Sequence, residues 1–148
     1  MKTNDTMIAI VRRNFSDVQG IYLFGSHAQE SRRSDSDLDV ALLLPHEQAK
    51  QVTSLAGWGC RFELEKAHRQ TIDLINARLV STVLRKEIIL GDLVHCSDLH
   101  AVEAFEILTL SYYQKLNQER AAILDEFTRP AAPLQYERLG IPLPAIFN

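Results

Sequence analysis

"LFGSHAQESRRSDSDLDVALLL", residues 23–44, reads as a strand that breaks at Gly25-Ser26 and resumes with Asp37 and Asp39 one residue apart. Side chains alternate along a strand, so the two acids point to one face, with a backbone spacing of about 6.5 Å. Two like charges beside apolar neighbours are costly unless something neutralises them. A cation answers that cost. Paired divalent ions about 3.5–4 Å apart serve phosphoryl transfer by clamping the attacking and leaving oxygens. Hard carboxylate oxygens favour magnesium, which is usually held by few protein groups plus substrate phosphates. Upstream, Gly25-Ser26 ends a strand and opens a short helix or turn over residues 26–33. Exposed backbone N–H groups there, with the Ser26 hydroxyl, suit phosphate oxygens.

Outward from this stretch, helices and strands alternate. Residues 5–15 read as a helix with Met7, Ile8, Ile10, Val11 and Phe15 inward, and 20–25 as a strand bounded by glycines. A second strand, 38–44, is stopped by Pro45. Residues 47–67 read as one helix with Val52, Leu55, Ala56, Phe62 and Leu64 inward, weakened by Gly57 and Gly59 at about 1 kcal/mol each. A third strand covers 70–77 and carries Asp73 between Ile72 and Leu74. If the second and third strands pair, Asp73 joins Asp37 and Asp39 on one face. Residues 81–91 form a helix with Ser81 as N-cap and Gly91 as C-cap. "DLVHCS" makes a short edge strand. A long helix runs over 97–127, with Val102, Phe105, Leu108, Tyr112, Leu116, Ile123 and Phe127 as its apolar stripe. Alternating strands and helices place the chain in the α/β or α+β class.

The 148 residues fit one domain, read as 1–128, followed by a tail over 129–148 that holds four of the five prolines and several large apolar residues. A net charge of −3 argues against binding long nucleic acid through a wide positive groove. No apolar run has the length of a membrane span, and the charge order of the first residues is wrong for a signal peptide. Cys60 and Cys96, far apart, point to a reducing cytoplasm rather than a disulfide framework. His95, Cys96 and His100 lie close together, but their spacing matches no common structural zinc site.

Gly25-Ser26, ten residues, then Asp37-Leu38-Asp39 resembles the nucleotidyltransferase signature of the DNA polymerase β superfamily. The "IDLI" acid further on and "VLRKEIILGDLVHCSD" resemble the minimal nucleotidyltransferase antitoxins that pair with HEPN-domain toxins, over roughly residues 5–125. The resemblance implies a mixed central sheet flanked by helices, like a polymerase β palm, with a long C-terminal helix. It implies a type VII-like toxin-antitoxin pair in which AMP passes from ATP to a tyrosine of the HEPN ribonuclease, with two magnesium ions as cofactor. Asp37 and Asp39 would bind both ions, Asp73 would bind the catalytic one and help activate the hydroxyl, and Gly25 and Ser26 would hold the triphosphate. Relatives often read Gly-Ser-x-Ala-Arg-Gly; this chain has Gln29 and Glu30 in the last two places.

Two rival readings stand beside this one. The first keeps the chemistry and changes the acceptor to a small molecule, against which counts the short stretch left for an acceptor-binding domain. The second is a non-catalytic domain that neutralises a toxin by contact alone. Gln29 and Glu30 favour it, and the three acids oppose it. Arg32 and Arg33 read as a solvated turn, as Arg85 and Lys86 read as an exposed helix face.

Overall fold

The computed structural model describes residues 2–25, 37–52 and 54–128. In chain order these form α1 (Lys2–Asn14), β1 (Gly20–Phe24), β2 (Leu38–Leu43), α2 (His46–Gln51), α3 (Ser54–His68), β3 (Ile72–Asn76), a 3₁₀ turn (Ala77–Leu79), α4 (Thr82–Ile89), β4 (Asp92–Cys96) and α5 (Leu99–Thr128). The sheet order is β3-β2-β1-β4. β1 runs antiparallel to β2 and to β4, while β3 runs parallel to β2. A parallel neighbour needs a crossover, which α2 and α3 supply. The chain is therefore α/β with a small mixed sheet and a long last helix, as the sequence leads one to expect.

Both faces of β1 and of β2 from Val40 onward are covered, which is why these stretches read as unbroken apolar runs. Ile21, Leu23, Leu38, Val40, Leu42 and Ile72 form one face and pack with Met7, Val11 and Phe15 of α1 and Cys60 and Leu64 of α3. Tyr22, Phe24, Ala41 and Leu43 form the other, against Ile88 of α4 and Val102 and Phe105 of α5. Each fully buried aliphatic side chain there contributes about 1.5–3 kcal/mol.

One end of the sheet is tied down by polar contacts. Arg78, just after β3, donates to the Leu44 carbonyl and to Gln19 Oε1 at 2.7 Å, and its guanidinium lies 6.0 Å from the centre of the Phe105 ring. The Gln19 carbonyl accepts from Ser97 N at 3.0 Å, and the Tyr22 hydroxyl donates to Glu106 at 2.8 Å. Burial first, then the Glu106 carboxylate, raises the Tyr22 pKa well above its usual value. The opposite end of the sheet, where β1 finishes and β2 and β3 begin, carries the acids.

Several expectations need correction. The helix expected over 47–67 is two helices, because Val52 turns to φ −94°, ψ 88° after α2. The Asn76 side-chain amide donates to the Ala49 and Val52 carbonyls at 3.0 and 3.1 Å, so the freed helix end is satisfied from β3. Phe62 is 68% exposed rather than inward. Cys60 and Leu64, one turn apart, face the core, and a residue midway between them at 100° per step points the other way. Ser81 does cap α4, accepting from Leu84 N at 3.2 Å. The C-cap is Leu90, not Gly91. The expected stripe of α5 is buried at Val102 and Phe105, joined by Thr109, whereas Leu108, Tyr112, Ile123 and Phe127 are exposed.

The expected turn over 26–33 and the tail over 129–148 lie outside the described residues. Two compact units divide the chain, Met1–Leu110 and a second beginning at Ser111. Among the described residues no helix is long and apolar enough to cross a membrane.

Candidate active site

Asp39 lies near the start of β2, where Phe24 of β1 pairs with it on one side and Asp73 of β3 on the other. Neighbouring strands run about 4.8 Å apart, and residues in register share a face. Asp39 and Asp73 are therefore side by side on the face that carries Phe24 and Ala41. Asp39 is half-buried, and Asp73 and Asp37 are exposed. Asp37 precedes the first residue of β2 by one position, in the same alternation as Asp39. The pairing of the second and third strands, on which the meeting of the acids depended, is thus present.

Gly25 follows β1 and has φ +73°, a backbone conformation that costs other L-residues roughly 1–2 kcal/mol. A Cβ there would stand 2.4 Å from Asp39 Oδ2. Only a glycine lets the end of β1 come so close to that carboxylate. Ser26 lies outside the described residues, as do Gln29, Glu30, Arg32 and Arg33. Gly91 has a different task from the cap expected of it: a Cβ would meet the Leu23 carbonyl oxygen at 2.2 Å and Phe24 Cβ at 2.8 Å. The turn between α4 and β4 thereby supports the last residues of β1, next to Gly25. In the sequence, a glycine after a helix looks the same whether it caps the helix or admits a neighbouring strand.

Other reactive groups fall elsewhere. Cys60 is buried, and desolvation first, then Glu63, pushes its thiol up to about 12, against the opposing effect of Arg13. That thiol is no nucleophile at neutral pH. His95 projects from β4, with desolvation and then Arg12 lowering its pKa. A surface hollow of about 510 Å³ is lined by Asp5, Ile8, Ala9, Arg12, Arg13 and Ser16 of the α1 region, and by none of the expected site residues.

Among the described residues no three His, Cys, Asp or Glu side chains form a ready-made metal cage. The residues present still fit magnesium. Asp39 and Asp73 are hard oxygen donors in register on one face, and magnesium takes one or two carboxylates and completes its shell with water and substrate phosphates.

Comparison with known proteins gives the family. The family model for polymerase beta nucleotidyltransferases matches residues 5–100. Protein adenylyltransferase MntA of Shewanella oneidensis is 33% identical over 120 residues, which cover 81% of this chain and 84% of that one. A solved toxin-antitoxin structure with AMP-PNP superposes with a TM-score of 0.71 at 32% identity, covering 83% of this chain and 96% of that one. A structure of tri-AMPylated Shewanella oneidensis HEPN toxin in complex with MNT antitoxin gives a TM-score of 0.66 at 30% identity, over 84% of this chain and 94% of that one.

Proposed function

The chain belongs to the polymerase beta nucleotidyltransferase family, and from that premise we propose that it is a protein adenylyltransferase that serves as the antitoxin to a HEPN-domain toxin. In this reading it moves AMP from ATP to a tyrosine hydroxyl of the toxin, in the cytoplasm. The observation that carries it is the register of Asp39 with Asp73 beside a glycine pressed against the Asp39 carboxylate. That arrangement occurs in a chain similar over four-fifths of its length to an enzyme of the same activity. The relatives solved with AMP-PNP and with an AMPylated toxin support ATP as donor and a HEPN protein as acceptor.

Asp37, Asp39 and Asp73 would hold two magnesium ions. Bound there, magnesium neutralises charge on the triphosphate and on the leaving pyrophosphate. Gly25 and Ser26 would hold the triphosphate, so that the α phosphorus faces the acceptor. Asp73 accepts the proton of the tyrosine hydroxyl, whose ordinary pKa is about 10. The tyrosine oxygen bonds to the α phosphorus as the bond to the bridging oxygen breaks, and pyrophosphate leaves. The toxin itself presents the acceptor hydroxyl. An added anion beside a ribonuclease site repels RNA phosphates, so the modified toxin is silenced.

The test is the intact mass of a HEPN-domain toxin after incubation with ATP, magnesium and the chain. Gains in multiples of one AMP unit are expected. No gain, together with full neutralisation by a chain carrying Asp37→Asn and Asp39→Asn, would replace this reading by neutralisation through contact.

A further inference from the structure

We infer that Glu65 is a positioning residue for the transfer: it holds the outer edge of β3 and thereby fixes the backbone that carries Asp73. The inference rests on the reading of Asp73 as the proton acceptor.

Among the described residues β3 is an edge strand, with β2 on its inner side and no strand on its outer side. On the inner side Leu38, the residue between Asp37 and Asp39, donates its N–H to the Thr71 carbonyl at 2.9 Å. In a parallel ladder alternate N–H groups point away from the partner strand. The outward one at the start of β3 belongs to Ile72, and it donates to Glu65 Oε2 at 2.9 Å. The same carboxylate oxygen accepts from Arg61 Nε at 3.2 Å, from one turn earlier on α3. Glu65 is therefore itself held in place, and its side chain is only 26% exposed. The Ile72 N–H, more than Arg61, holds the Glu65 carboxyl below the usual carboxylate range. Ile72 is fully buried and directly precedes Asp73. Rigid peptide planes leave two soft dihedrals per residue. A turn of the Ile72 peptide would therefore swing the Asp73 carboxylate relative to Asp39 on the neighbouring strand. No motif marks this role: Glu65 reads in the sequence as one more charge on a helix.

The experiment compares the wild-type chain with Glu65→Ala, Glu65→Gln, Asp73→Asn and the double variant Glu65→Ala/Asp73→Asn. Turnover is read by toxin mass under saturating ATP and magnesium, and nucleotide affinity by calorimetry with magnesium AMP-PNP. Glu65→Ala should slow transfer about ten- to a hundredfold, the range a misplaced reacting group produces, with AMP-PNP affinity unchanged. Glu65→Gln keeps an oxygen that can accept from Ile72 N–H and should recover most of the rate. In the Asp73→Asn background Glu65→Ala should add no further loss. Should Glu65→Ala not fold, Glu65→Asp, which shortens the reach by one methylene, carries the same expectation. Wild-type turnover in Glu65→Ala with a slow Asp73→Asn overturns the positioning role and leaves the Asp73 reading intact. Wild-type turnover in Asp73→Asn overturns both. An equal loss of AMP-PNP affinity, or a further loss in the double variant, reduces Glu65 to a structural residue.

Discussion

In the proposed site, Gly25 and the three acids would make the chemistry depend on single atoms. Gly25→Ala would place a methyl 2.4 Å from Asp39 Oδ2 and force a side chain into φ +73°. The carboxylate or the end of β1 must move. We expect magnesium AMP-PNP affinity to collapse while the melting temperature falls only modestly, the conformational strain being about 1–2 kcal/mol. Calorimetry with undiminished affinity would mean that this glycine is not part of the site. Asp37→Asn with Asp39→Asn should likewise abolish magnesium-dependent ATP binding. The fold should stay as stable or gain, because converging charges are removed. Asp73→Asn should separate binding from chemistry, keeping affinity and depressing turnover by about 10²–10⁴-fold, the usual contribution of a positioned base. Retained turnover would return Asp73 to a structural role.

At the level of elements, the sheet is held from both faces and one end, and two histidines in that frame are expected to make the fold sensitive to acid. His68 closes α3 and His95 lies on β4; the Nε2 of each is buried without a hydrogen-bond partner among the described residues. Desolvation lowers both pKa values, with Arg12 adding to the effect at His95. The folded state therefore resists a proton that the unfolded chain accepts near pH 6.5. Because the unfolded state then binds more protons, stability is fully present above about pH 6.5 and declines as pH falls through and below it. Glu63 and Glu65, both with lowered pKa, add a second loss at more acid pH, as their folded-state partners are given up. For Glu63 these are Asn14 first and then Arg13, both on α1. Urea unfolding at pH 7.5 and 5.5 should show a clear drop for the wild-type chain and a smaller one for His68→Gln/His95→Gln. An identical drop in both would assign the acid sensitivity to other groups.

For the whole molecule, the apolar side chains left exposed on the last helix and the composition of the tail that follows it bear on partnership. Ile123, Leu124 and Phe127 are exposed, the last at 76%. The tail that follows adds Leu139, Ile141, Leu143, Ile146 and Phe147 among prolines. Large apolar side chains exposed together on one helix, followed in sequence by an apolar tail, suit contact with a partner. We expect a chain ending at Arg129 to stay soluble, keep its affinity for AMP-PNP and bind the HEPN protein more weakly. Unchanged affinity for that protein, by calorimetry, would exclude the tail from the contact.

By itself the sequence determined the class of fold, the order of its strands and helices, and the acids to watch. Gly25-Ser26 and Asp37-Leu38-Asp39 are local signals, and apolar runs such as "GIYLF" and "LDVALL" are long enough to declare buried strands. Tertiary structure alone decided the rest, because it concerns what lies across space from each residue. The break after Gln51 is completed by Asn76, 24 residues beyond the Val52 carbonyl it holds. The glycine at position 91 serves a strand far from it in sequence, and Phe62 faces out because α3 has one buried side and not two. The neighbourhood of Asp39 and Asp73 exists only because β3 docks parallel to β2 in one register. A slip of one residue would turn every side chain of β3 to the opposite face and carry Asp73 away from Asp39.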